Sequence, residues 1–149
     1  DDEVRHARAF MNLAKGFGST IQPINCEAVP SDMLSVALHN AVEGCVFETW
    51  AALTAHHQAA RCEIPALKKL YAMVAADETR HGQLSWDMHA WFMTQLSEGE
   101  QAQVRAAQRD AFVRLLSMAE TEKGHPVLGG LLRDDALTMA KAFVEKLSA

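Results

Sequence analysis

Apolar positions recur every three or four residues along most of the chain, in five stretches separated by Gly, Pro and capping residues. Residues 1 to about 17 place Phe10, Leu13 and Phe17 in line with Glu3 and His6 on one helix face. Gly16, Gly18, Pro23 and Pro30 then mark a loop long enough to cross from one end of a bundle to the other. Pro30-Ser31-Asp32 offers an N-cap for a helix running to about Arg61, with Gly44 its only breaker. Pro65 suits the first turn of the next helix, where a missing N–H costs nothing, and the pattern continues to about Leu96. Ser97-Glu98-Gly99-Glu100 matches a capping box and opens a helix that ends near Gly124 and Pro126. Gly129-Gly130 and Asp134-Asp135 introduce a last one, to about Leu147. No segment alternates as a strand would. The pattern predicts an all-α chain whose two helices of about 30 residues, each about 45 Å long, lie antiparallel across a turn around Glu63.

Composition adds bounds to that picture. The 149 residues carry 14 Lys+Arg against 19 Asp+Glu, a net charge of −5, with 49% hydrophobic residues. This suits one globular domain over 1–149, with its core in 1–96 and a helical extension over 97–149. Net acidity without a basic block argues against a nucleic-acid partner. No apolar run reaches the roughly 18–20 residues of a membrane span, so a soluble protein is expected, cytoplasmic or exported. Because the chain opens on Asp1 and not Met, translation is expected to begin upstream, and any signal peptide to lie there. Cys26, Cys45 and Cys62 form no CxxC pair. Cys45 and Cys62 read as small core residues, a bridge through Cys26 stays open, and the redox compartment is undecided.

The chemistry lies in an internal repeat. Residues 2–6 read Asp-Glu-Val-Arg-His and residues 77–81 read Asp-Glu-Thr-Arg-His, a shared D-E-x-R-H. Each copy sets Glu and His three residues apart, neighbours on one helix face. Glu78 and His81 share a stripe with Leu67, Leu70, Tyr71, Val74, Ser85, Met88 and Phe92; Glu3 and His6 share theirs with Phe10 and Leu13. A carboxylate on an apolar stripe is costly unless paired or metal-bound, and two such pairs facing each other would bind a divalent or trivalent ion well. Arg5 and Arg80 are expected on polar faces or paired with Asp2 and Asp77. The intervening helix offers a further carboxylate. Glu43 lies on its bulky stripe with Val36, His39, Asn40, Val46, Phe47 and Trp50, and Glu48 among Ala41, Gly44, Cys45, Ala52 and Ala55. Glu43 ranks first and Glu48 second. His39, one turn from Glu43, is either a satisfied core histidine or a less certain ligand. Tyr71, His56, His57, His89 and the three tryptophans read as packing or surface.

A Glu from each of two helices plus Glu-x-x-His from each of two others is the ligand set of ferritin-like di-iron carboxylate proteins. At Glu3–His6, Glu43 and Glu78–His81 the chain resembles that superfamily, which includes rubrerythrins, bacterioferritins and di-iron oxygenases. It is more closely similar to ferritin-like domain proteins with E-G-C-x-x-E-T, here Glu43 to Thr49, and D-E-x-R-H followed by L-x-W, here Asp77 to Trp86. The resemblance covers about residues 1–96. It implies an antiparallel bundle with a long crossover and two extra C-terminal helices. It also implies a di-iron site (manganese or a mixed pair being alternatives) that reacts with O₂ or peroxide and an unknown small substrate or reductant. The family's first helix, with its single Glu, is not in this chain, which supplies five of the six ligands. An upstream segment or a second copy in a homo-oligomer is expected to complete the site. No paired CxxC motifs supply a rubredoxin-type iron centre, and no phosphate loop or G-x-S-x-G elbow is present. The competing expectation is a metal-free helical module acting in binding or assembly; an iron-storage cage ranks last.

Overall fold

A computed structural model describes residues 2–19 and 31–147. All regular structure among them is helical, apart from one isolated bridge between Lys123 and Leu132. The helices are α1 (Asp2–Gly16), α2 (Met33–His39), α3 (Thr49–Arg61), α4 (Pro65–Gln95), α5 (Glu98–Glu120) and α6 (Arg133–Leu147). Between α2 and α3 the chain does not leave the helix. It widens into a π-helical segment, Asn40–Glu48, so α2, this segment and α3 form one long rod. Asp32 caps α2 by accepting from the Ser35 N–H, and the Ser97–Glu100 capping box opens α5. Cys26, Pro23 and Pro30, with the crossover they were expected to shape, lie outside the described residues.

Small residues decide how the rod meets α4. Ala41, Gly44, Cys45, Ala52 and Ala55 are buried along one side, which lets the two helices approach closely. A Cβ placed on Gly44 would sit 2.5 Å from Ser85 Oγ, and one on Gly82 would sit 3.0 Å from Thr49 Oγ1. The turn between α3 and α4 is clamped from outside by the 3₁₀ turn Pro126–Leu128, where Glu63 N–H donates to the Val127 carbonyl (3.1 Å). Gly129 ends that turn at φ 72°, and a side chain there would also strike the Cys62 backbone.

The bulky stripe of the rod faces the other way. Val46, with Phe47 and Trp50, packs against Ala111, Phe112 and Leu115 of α5 and Ala136, Ala140 and Phe143 of α6. The last third of the chain therefore provides the partner for that apolar face. A second cluster joins Ala37 and Ala41 to Phe92, Leu96 and Val104. Helix α1 lies antiparallel on α4, with Phe10 and Leu13 against Leu70 and Tyr71. Among the described residues no helix is long and apolar enough to cross a membrane.

Candidate metal centre

The antiparallel docking of α1 on α4 brings the two D-E-x-R-H copies face to face. His6 and Glu78 are buried, His81 is half-buried, and the Glu3 side chain remains 73% exposed. His6 Nδ1 is 3.2 Å from Glu78 Oε1 and 3.6 Å from Glu3 Oε1. His81 Nδ1 is 3.3 Å from Glu3 Oε1 and 3.6 Å from Glu78 Oε2. The imidazole centroids are 6.5 Å apart. Each histidine thus presents the same nitrogen to the same two carboxylates, from opposite sides.

The flanking residues are exchanged between the copies. His6 Nε2 is 2.9 Å from Asp77 Oδ2, and His81 Nε2 is 3.4 Å from Asp2 Oδ2. Arg5 pairs with Asp2 (3.0 Å) and with Asp77. Arg80 pairs with Asp77 (2.5 Å) and Asp2 (3.3 Å). Each aspartate therefore takes the histidine of the other copy and both arginines. The arginines were expected on polar faces or paired with their own aspartates; the own-copy pairing is present, and the crossed pairing was missed. The signal for it was in the repeat, since Asp and Arg recur with the Glu and His they support.

Electrostatics follow from this arrangement. The hydrogen bond from His6, helped by Arg80 and Arg5 against the effect of burial, holds the Asp77 carboxyl well below its usual range. Burial and Asp77 push the Asp2 carboxyl up, but Arg5, His81 and Arg80 together outweigh them and lower it. Burial raises Glu78, and the neighbouring Glu3 adds to the rise.

A carboxylate thus stands against both nitrogens of each ring, yet a neutral imidazole carries a single N–H. With that proton on Nε2, held by the aspartate, the Nδ1 lone pair faces Glu3 and Glu78, and a further proton or a metal ion must lie between them. Aspartate behind the distal nitrogen is also how metal-ligating histidines are oriented. Glu3, Glu78 and His81 can bring ligand atoms within 4.8 Å of one another. Right-angle ligands at about 2.1 Å from an ion are about 3.0 Å apart, close to the separations here. These residues fit a cation.

Two expectations on the rod are corrected. Glu43 does not point into the bundle: it is exposed and stands 4.0 Å from Arg114 Nη2 of α5. His39 is exposed as well, so it is not a core histidine, and it is not part of the group formed by Glu3, Glu78 and His81. The reason is that the rod has two buried sides, and the bulky side carrying Glu43 turns towards α5 and α6. Glu48 lies on the side facing α4, where Ser85 Oγ donates to its Oε2 (3.1 Å), and its charge contributes to the rise of Glu78. Its carboxylate is bound to Ser85 and stands outside the group formed by Glu3, Glu78 and His81. Of the two glutamates, Glu48 is the one the fold directs to α4.

Two cavities flank the paired helices. One of about 390 Å³ opens between α3 and α4 and touches Glu78. Another, of about 330 Å³, lies near Trp50, Tyr71 and His125, two turns of α4 from the carboxylates. Compared with protein-family models, curated proteins and solved structures, the chain matches none.

Proposed function

We propose that the chain is a ferritin-like di-metal carboxylate protein, with Glu3, His6, Glu78 and His81 as ligands and Glu48 as the added carboxylate. The observation that carries this reading is the crossed meeting of two Glu-x-x-His pairs, each histidine backed by the aspartate of the other copy. Hard oxygens with imidazole nitrogen suit iron, and also manganese or a mixed pair. Bound iron would supply redox chemistry toward O₂ or peroxide, with electrons from a small substrate or reductant. The protein's part is positional. Asp77 and Asp2 would fix the imidazole tautomers, Glu78 and Glu3 would supply carboxylate oxygens to the metal, and the exposed side of Glu3 leaves the site open to small reactants.

Metal analysis with Fe(II) or Mn(II) tests the reading. The expected result is about two ions per complete bundle, with at least a tenfold loss of affinity in Glu78→Gln and in His81→Gln. Wild-type protein that binds no Fe(II) or Mn(II) overturns it. One observation favours a second reading, a metal-free helical module. Asp2 and Asp77 are balanced by Arg5 and Arg80, so this part of the network is closed by side chains alone. On that reading the same substitutions change stability alone.

A further inference from the structure

The cleft between α3 and α4 has a polarity of its own. Its inner surface is buried and small or apolar, formed by Ala52 and Gly82 with Leu53 and Trp86 beside them, and Leu147 of α6 overhangs it. Glu78 lies at the inner end. The mouth is formed by the exposed residues His56, Thr79 and Gln83. At about 390 Å³ the space falls within the usual range for small-molecule sites.

Several of the hydrogen-bonding groups around it are already engaged with the protein. Trp86 Nε1 donates to Thr49 Oγ1 (3.1 Å). Thr79 Oγ1 donates to the Ala75 carbonyl (2.6 Å) and so accepts from His56 Nε2 (3.0 Å). Gln83 Nε2 donates to Asp87 (2.9 Å). Among the described residues no Lys or Arg lines the cleft, so an anion finds no fixed positive charge there. Glu78, the acid that lines it, is turned to His6 and His81. The inner surface offers a ligand mainly apolar contact and shape, with open polar groups left to His56 and Gln83 at the mouth, which favours a molecule with few polar groups.

We infer that this cleft binds a small, neutral, apolar molecule whose inner end rests against Glu78. Naming that molecule as the substrate rests on Glu78 being a metal ligand; the binding itself does not. The cleft then gives the centre a second approach beside the exposed face around Glu3, one that selects for hydrocarbon over charged compounds.

The probe is 1-bromohexane, whose bromine quenches indole fluorescence on contact, compared with 6-bromohexanoate. The expected result is saturable quenching of the full chain by 1-bromohexane, with 6-bromohexanoate at least tenfold weaker. Trp86→Phe should lose the saturable quenching while calorimetry still detects binding, and Ala52→Leu should weaken binding at least tenfold. Should Ala52→Leu fail to fold, as judged by circular dichroism, Trp86→Phe carries the test. Absence of saturable quenching in the wild type, undiminished quenching in Trp86→Phe, or equal binding of the carboxylate overturns the inference. Mn(II) titration of the same samples reports separately on the metal centre. A failure there removes the metal reading, whereas quenching decides the cleft.

Discussion

Replacing Asp77 by alanine should release α1 while leaving the rest of the molecule folded. Asp77 is buried and accepts from His6, Arg5 and Arg80. Its bond to the equally buried His6 is charge-assisted, worth roughly 1.5–3 kcal/mol. The arginine side chains are 49% and 60% exposed, so solvent screening leaves their pairings a minor part of the loss. Alanine's higher helix propensity returns about 0.5 kcal/mol within α4. The net loss through the His6 bond is about 1–2.5 kcal/mol, or roughly 5- to 70-fold in an equilibrium constant. Beyond this network the described attachment of α1 is the contact of Phe10 and Leu13 with α3 and α4. The loss should therefore appear as local opening. Hydrogen exchange followed by mass spectrometry would show residues 2–16 exchanging roughly 5- to 70-fold faster, with α5 and α6 unchanged. Asp77→Asn, which keeps an acceptor for His6, should fall between wild type and Asp77→Ala. Unaltered exchange in α1, or equal acceleration in every helix, would refute the reasoning.

Other substitutions separate the remaining claims. Glu48→Gln should lower Fe(II) or Mn(II) affinity at least tenfold and Glu43→Gln less than twofold, as measured by calorimetric titration. Gly44→Ala should destabilise the fold through overpacking against Ser85 by about 1–3 kcal/mol, read as a lower melting temperature, and Ser85→Gly should restore part of the loss. The Cys45 thiol is pushed up to about 12 by burial, with Glu48 adding to the rise, so folded protein should resist iodoacetamide at Cys45 near pH 8. An unfolded thiol ionises near 8.5. The folded state therefore favours the protonated form: this contribution to stability is full below that value and is lost as pH rises towards 12. Denaturant melts of wild type and Cys45→Ala between pH 7 and 10.5 would check the sign, the difference between them shifting against wild type at high pH.

Element ends were legible because capping chemistry is local. Ser97 with Glu100, Asp32 with Ser35, and Pro65 at the first turn mark their helices in the sequence as they do in space. The repeat was legible for a similar reason, since matched spacing implies matched faces. The sides of the rod were not. A wheel drawn at one fixed angle per residue treats Asn40–Glu48 as ordinary helix, whereas its wider coil alters the direction of each residue. Bulk was also misleading: Val46, Phe47 and Trp50 suggested the site-facing side, but the larger side chains fill the space towards α5 and α6. The face against α4 needs small residues because the backbones approach closely, and Glu48 lies among them. Exposure of His39 shows the same error from the other end.

The widened coil has a consequence for how this rod tolerates change in length. Its first part is keyed to Phe92, Leu96 and Val104, and its last part to Gly82 and Trp86. In an unbroken α-helix those two sets of contacts would be locked in phase. A segment with looser winding lets each half hold its own angular setting, like a coupling between two shafts. Deleting one residue between Asn40 and Glu48 would return the segment towards ordinary α winding and take up the loss there, leaving each half near its own setting. The same deletion in α3 would have nowhere to be absorbed.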